Sequence, residues 1–194
     1  MRKALVKRET AETAISVELN LDGTGQFDTR TGLRTLDHFI AQIARHGIFD
    51  IKVSATGSDQ HHVVEDVAIT FGKALNEALG DKRGIVRMAN ALVPMDEALS
   101  RVVLDISGRG YSQIDIKFSG EAIGELQTDM VIHFLETLAS EAKVTLHATV
   151  LYGRNDHHMA ESLFKALGRA LDSATRIDPR IADRVPSTKD ILEK

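Results

Sequence analysis

The sequence predicts an α+β fold made by internal duplication of a strand-strand-helix-strand-helix unit, with two sheets and the helices packed between them. Two observations lead there. The first is a repeat: His38-Phe-Ile-Ala-Gln-Ile-Ala44 is answered by His133-Phe-Leu-Glu-Thr-Leu-Ala139, 95 positions on, and His61-His-Val-Val-Glu65 by His157-His-Met-Ala-Glu161, 96 positions on. The second is the order of periodicities. Stretches that alternate apolar and polar, as half-buried strands do, interleave with helix-like stretches in the same sequence in each half. Helices gathered on one face of each mainly antiparallel sheet would leave two helical layers to bury back to back.

The elements follow in order. Ile15 to Leu21 alternates as a strand and Asp22-Gly-Thr-Gly25 turns the chain. Asp37 to His46 reads as a helix with Phe39, Ile40 and Ile43 on one side, closed by Gly47 as the left-handed residue after it. Ile48 to Ser54 is a strand that leads into a helix over 61–79, and Gly80-Asp-Lys-Arg-Gly84 is the junction. In the second half, Val102 to Ser107 and Ser112 to Phe118 are strands, separated by Gly108-Arg109-Gly110. Val131 to Lys143 is a helix, Val144 to Val150 a strand, and 157–174 the closing helix. The repeats span 1–83 and 84–177 in one integrated domain, with a loop-like C-terminal tail over 178–194.

Composition narrows the function classes. The 194 residues are 43% hydrophobic, which suits one or two packed domains and not a disordered tail. Zero cysteines exclude a disulfide scaffold and any thiolate metal site. A formal charge of −4 disfavours a general nucleic-acid binder. No apolar run approaches the ~20 residues that span a bilayer, and Met1 to Glu9 is too charged for a signal-peptide core. A soluble cytoplasmic protein with no nucleic-acid or membrane partner is expected.

Histidine carries the chemistry. Residues four apart in a helix share a face, so His61 with Glu65 can serve one metal ion, and His157 with Glu161 another. His62 and His158 point about 100° away around the helix and suit a different ion. With His38 and His133 added, six imidazoles and two carboxylates divide into two sites of three His and one Glu. A sulfur-free donor set of this kind suits Mn, Fe, Zn, Co or Ni. Asp59 and Asp156, just ahead of the pairs, read either as helix N-caps or as carboxylates that hold imidazole N–H groups. His46 is accounted for as a cation at a helix end, and His147 as a strand residue.

Several motifs resemble those of the imidazoleglycerol-phosphate dehydratase family. They are Leu36-Asp-His-Phe39 with Arg45-His-Gly47, Asp59-Gln-His-His-Val-Val-Glu-Asp66, and Asn155-Asp-His-His-Met-Ala-Glu-Ser-Leu-Phe-Lys165. Arg8-Glu-Thr-Ala-Glu-Thr13, Pro94-Met-Asp-Glu-Ala-Leu99, Ser107-Gly-Arg109 and Pro186-Ser-Thr-Lys189 add to the likeness, which covers nearly the whole chain. The resemblance implies a histidine-biosynthesis hydro-lyase that converts D-erythro-imidazole glycerol phosphate to imidazole acetol phosphate. It also implies two Mn²⁺ per active site and a 24-subunit assembly with interfacial active sites. The family's metal ligands fall on His38, His61, His62, Glu65, His133, His157, His158 and Glu161. Its substrate and phosphate contacts fall on Glu12, His38, His46, Arg87, Arg109, Lys165, Ser187 and Lys189, and its catalytic carboxylates on Glu12, Glu65 and Glu161. The loop 55–60 ahead of the first His pair is shorter than is usual in that family.

The chemistry agrees with such a site. The C–H bond to be broken adjoins an imidazole ring, not a carbonyl, so it is weakly acidic. A metal at a ring nitrogen would, as a Lewis acid, make the imidazolate accessible, and ring electrons would then assist departure of the neighbouring hydroxyl through a diazafulvene-like species. A proton shuttle free of metal is also needed, and Glu12 is the candidate. Two other classes compete: a dinuclear phosphoester hydrolase, marked by release of inorganic phosphate, and a non-enzymatic protein whose ions only join subunits.

Overall fold

The computed structural model describes residues 2–181 and 184–192. Within the expected tail 178–194, residues 182, 183, 193 and 194 lie outside the described residues, as does Met1. The first half runs β1 (Lys3–Glu9), β2 (Thr13–Asn20), β3 (Phe27–Arg30), α1 (Arg34–Gly47), β4 (Asp50–Gly57), α2 (Gln60–Leu79). The second runs β5 (Met88–Met95), β6 (Ala98–Asp105), β7 (Tyr111–Asp115), a short hairpin of β8 (Ala122–Ile123) and β9 (Leu126–Gln127), then α3 (Thr128–Glu141), β10 (Thr145–Tyr152) and α4 (Asp156–Thr175). The two halves are similar and the fold is α+β. Their sheets have matching orders, β1-β2-β4-β3 and β5-β6-β10-β7.

Each sheet is mixed. β4 pairs antiparallel with β2 and parallel with β3, as β10 does with β6 and β7. The first helix of each half is therefore the crossover that a parallel pair requires. Three strands of each four-stranded sheet come ahead of that helix, where the sequence pattern showed one in the first half and two in the second. Beyond the β8–β9 hairpin, also unanticipated, the strands that the pattern missed are β1, β3 and β5, and all lie at the edges of the four-stranded sheets. Edge strands carry charge to discourage further pairing, so Lys3-Ala-Leu-Val-Lys-Arg-Glu9 and Phe27-Asp-Thr-Arg30 lack the apolar rhythm of an inner strand.

The inner strands point one row of side chains inward: Ile15, Val17 and Leu19 on β2, Ile51 and Val53 on β4, Val102 and Leu104 on β6, Leu146 and Ala148 on β10. Onto these rows α2 covers β1 and β2, and α4 covers β5 and β6. The other two helices pack across the halves, α1 along α4 and α3 along α2. Phe164 of α4 joins them, stacking on Phe39 of α1 at 4.9 Å and meeting Phe134 of α3 at 5.7 Å between ring centroids. All three rings are fully buried.

The end of α1 differs from expectation. Gly47 remains in the helix, and the left-handed residue is Ile48, at φ 58°. Lys143, 95 positions later, has φ 56°, so the repeat extends to this backbone detail. Gly47 is needed for its size: a β-carbon there would stand 2.6 Å from the Phe49 ring and 3.0 Å from the carbonyl oxygen of Gly168. A β-carbon on Gly168 would in turn lie 2.8 Å from the Ile43 carbonyl oxygen. The two glycines let α1 and α4 touch backbone to backbone. Gly168→Ala should lower the urea midpoint by an amount equivalent to about 1–3 kcal/mol, despite alanine's better helix propensity; an unchanged midpoint would show that the crossing is loose.

Candidate metal centres

Two clusters of nitrogen and oxygen ligands form where the helices of the two halves meet. His38 of α1 meets His157 and Glu161 of α4; His133 of α3 meets His61 and Glu65 of α2. In each, the ligand atoms lie within 4.8 Å of one another. His38 Nε2 and His157 Nε2 approach the same oxygen, Glu161 Oε2, at 3.0 and 3.1 Å, with their rings stacked at 5.3 Å. In the second cluster His133 Nε2 is 3.4 Å from Glu65 Oε1, and the His61 and His133 rings stack at 5.1 Å. The i, i+4 logic holds on both helices. The lone histidines, however, are exchanged: each serves the helix of the opposite half.

His62 and His158 stand outside both clusters, with rings near edge-on to those of His61 and His157. The expected sets of three His and one Glu are therefore two His and one Glu within this chain. The physical reason is the 100° step between neighbouring helix residues, which turns the second imidazole away. Asp59 is the N-cap of α2, accepting from the His62 N–H at 3.2 Å. At α4 the cap is Asn155, which accepts from the His157 and His158 N–H groups; Asp156 instead accepts from Ser119 and Gly120 N–H at 3.0 and 2.8 Å. The loop ahead of α2 is short because β4 runs to Gly57 and leaves only Ser58 and Asp59 before the helix.

The residues present suit a divalent cation. His133 Nε2 is buried and makes no hydrogen bond among the described residues. An unsatisfied buried nitrogen costs about 1–3 kcal/mol, a penalty that coordination removes. Two imidazole nitrogens aimed at one carboxylate oxygen likewise make a ready ligand set. The clusters differ in setting: Glu161 is buried, whereas the side chain of Glu65 is 38% exposed. Burial raises the Glu161 pKa, but hydrogen bonds from Lys165 and His38 outweigh it and hold the carboxyl at about 2. The Lys165 ammonium sits 2.7 Å from Glu161 Oε1.

Glutamates from two hairpin tips face the second histidine of each pair. Glu12, between β1 and β2, brings Oε2 to 3.5 Å from His62 Nε2. Glu97, between β5 and β6, accepts from His158 Nδ1 at 2.8 Å and from the Asn155 and Arg154 N–H groups at 2.8 and 3.2 Å. The His158 hydrogen bond, with that of the Asn155 backbone, lowers the Glu97 carboxyl to about 2, and Glu97 raises the His158 pKa in return. Sequence reasoning gave Glu97 no role. Its signal was positional: it sits at the tip of the second-half hairpin that corresponds to Glu12's.

The other candidate residues fall into two groups. Arg87, Arg109, Ser187 and Lys189 line one cavity of about 620 Å³ under the C-terminal segment. Arg87 clamps that segment, donating to Pro186 O at 2.7 Å while its Nε and Nη2 hold Asp105 at 2.7 and 3.0 Å. Lys165 and His46 are elsewhere, at α4 and α1 beside the first cluster. Burial, then the Lys165 and Arg169 charges, lowers the His46 pKa; that disfavours the helix-end cation read from the sequence. His147 lies exposed on β10 beside Tyr111, with no part in either cluster. No helix among the described residues is long and apolar enough to cross a membrane.

Comparison with known proteins gives one answer. The family model described as imidazoleglycerol-phosphate dehydratase matches residues 31–171. An imidazoleglycerol-phosphate dehydratase of Dehalococcoides mccartyi (strain CBDB1) is 60% identical over 192 residues, 99% of this chain and 98% of the relative. One from Roseiflexus sp. (strain RS-1) is 53% identical over 98% of each chain. Among solved structures, that of Pyrococcus furiosus in complex with (S)-C348 superposes with a TM-score of 0.83 at 35% identity, covering 96% of this chain and 99% of the other. That of Staphylococcus aureus gives 0.83 at 31%, covering 90% and 100%.

The Glu161 site makes a pH prediction for the metal-free protein. A carboxyl held near 2 when folded and near 4.3 when unfolded stabilises the fold above about pH 4.3, and that share is lost as pH falls toward 2. Lys165→Met removes the main donor and so raises the folded pKa. Its stability deficit against the unsubstituted protein should be greatest near neutrality and shrink as pH falls through that window, read by urea unfolding at several pH values. A deficit that does not change with pH would exclude the carboxylate as its source.

Proposed function

Because the chain belongs to the imidazoleglycerol-phosphate dehydratase family, we propose that it removes water from D-erythro-imidazole glycerol phosphate to give imidazole acetol phosphate, as a histidine-biosynthesis lyase of the cytoplasm. The observation that carries this reading is the pair of His2Glu clusters assembled between the halves. When bound, two Mn²⁺ ions would supply Lewis-acid stabilisation of negative charge on the substrate's azole ring, favouring imidazolate and diazafulvene character. His38, His157 and Glu161 would hold one ion, and His61, His133 and Glu65 the other.

His62 and His158, outside both clusters, would serve the corresponding sites of neighbouring copies in a 24-subunit assembly with interfacial active sites. The division of the substrate contacts supports the same view. The cavity of Arg109, Ser187 and Lys189 shares no lining residue with either cluster, while Lys165 stands against Glu161. Arg109 and Lys189 would bind the phosphate through charge-assisted hydrogen bonds, far from the bonds that change. Such remote binding energy can be used to orient the ring at the metals. Arg87 keeps the Pro186–Lys189 segment folded over that cavity.

Glu12 is the proton carrier. Its carboxylate is 60% exposed, so it is free to exchange protons, and it lies at the edge of the ligand helix without belonging to a cluster. The remaining steps need it to take a proton from the carbon chain and to deliver one where the hydroxyl leaves.

The direct test is incubation with imidazole glycerol phosphate, following the ketone product. Activity should require added Mn²⁺ and vanish with a chelator, with the phosphate ester retained; release of inorganic phosphate would instead make the protein a phosphoester hydrolase. Glu12→Gln should keep its fold and metal content but lose about 100-fold or more in kcat. Turnover close to that of the unsubstituted enzyme would remove Glu12 from the mechanism.

A further inference from the structure

We propose that Thr13 and Arg8, clamped on the buried carboxylate of Asp66, position Glu12 over the metal-ligand helix, a role that rests on the proton-carrier reading of Glu12. Among the described residues, no hydrogen bond holds the Glu12 side chain. The carboxylate is mostly exposed, and its approach to His62 at 3.5 Å is too long for a firm hydrogen bond. Its place is set by the turn beneath it. Thr10 Oγ1 accepts from the Glu12 and Thr13 N–H groups at 3.2 and 3.0 Å, and the Thr10 N–H donates to Thr13 O at 2.9 Å.

That turn is tied to α2 through one carboxylate. Asp66 is 5% exposed and Thr13 4%. Asp66 Oδ2 accepts from Thr13 Oγ1, and Oδ1 accepts from Arg8 Nε at 2.6 Å. One residue on each side of the tip, Arg8 on β1 and Thr13 on β2, is thus fastened to the same helix that carries His61, His62 and Glu65. Gly57 lets the tip come close: a β-carbon there would stand 3.1 Å from Thr13 Cγ2 and 3.2 Å from Glu12 O. A buried carboxylate next in sequence to a metal-cluster glutamate, with a strand on each side of the tip tied to it, couples the position of Glu12 to that of the cluster. Asp66 is a positioning residue, and Thr13 carries its constraint to the tip.

Thr13→Val tests this without touching a residue beside a cluster. It keeps the side-chain shape and removes the one hydroxyl. The variant should lose about 10- to 100-fold in kcat, the range expected for a displacement of order 1 Å, with little change in KM, manganese content or circular dichroism. Thr13→Ser should restore most of the loss. In a Glu12→Gln background, Thr13→Val should cost nothing further, because it acts through Glu12. Near-normal kcat in Thr13→Val beside an inactive Glu12→Gln would overturn the clamp and leave Glu12 in place. Lost metal or lost fold in Thr13→Val, or no rescue by serine, would make the contact merely structural. An active Glu12→Gln would overturn the underlying reading itself.

Discussion

The packing of each half's first helix against the other half's second helix is the constraint on which the candidate site depends. Had α1 packed on α2, His38 would face its own repeat, and each half would carry a complete cluster of its own. Instead α1 lies along α4 and α3 along α2, so neither cluster exists without both halves. The aromatic contact of Phe164 with Phe39 and Phe134 and the backbone approach at Gly47 and Gly168 hold that arrangement. His38 precedes Phe39 directly, and Glu161 lies one turn before Phe164 and Lys165. The core contact and the ligand contact are therefore two sides of one helix crossing.

Duplication produced two sites with the same ligands in unequal surroundings. Glu161 is buried and compensated by Lys165, and its carboxyl is held ionised. At the place on α2 that the 96-residue repeat gives to Lys165 stands Ile69, and Lys73, which answers Arg169, reaches Glu141 at 3.9 Å and not Glu65. Glu65 is left open to solvent. A buried carboxylate with its own ammonium has less net charge to offer a cation than an open one, so the two clusters differ in electrostatic strength although their ligands match.

Much of the fold and of the two candidate clusters was legible in the sequence, because period and spacing are local properties. His61 with Glu65 and His157 with Glu161 follow from helix geometry alone, as does the outward turn of His62 and His158. Which helix receives His38 was not legible, since a periodic pattern marks a buried face without naming what covers it. The edge strands β1 and β3 escaped because their charge hides the alternation, and β5, Met88-Ala-Asn-Ala-Leu-Val-Pro-Met95, because it is almost wholly apolar and so shows none. Gly47 looked like a helix terminator, yet its small size serves a tertiary contact and Ile48 takes the strained conformation instead. Asn155 and Asp156 could each cap α4 by type; only the loop at Ser119 and Gly120, remote in sequence, decides which one does.

The hairpin tips give the arrangement its final asymmetry. Glu97 is locked by two backbone N–H groups and the His158 ring, so its carboxylate is a fixed acceptor that orients that imidazole. Glu12 occupies the corresponding tip, yet its carboxylate is exposed and its restraint lies in the backbone of the turn. One glutamate is bound to the ring that it orients, and the other carries no firm bond to its histidine. The same hairpin, used twice, thereby supplies a fixed acceptor to one helix and an exposed carboxylate to the other. The difference traces to what each tip hydrogen bonds: at Glu97 the side chain itself is bound, whereas at Glu12 the binding is moved one residue along, to Thr13 and the buried Asp66.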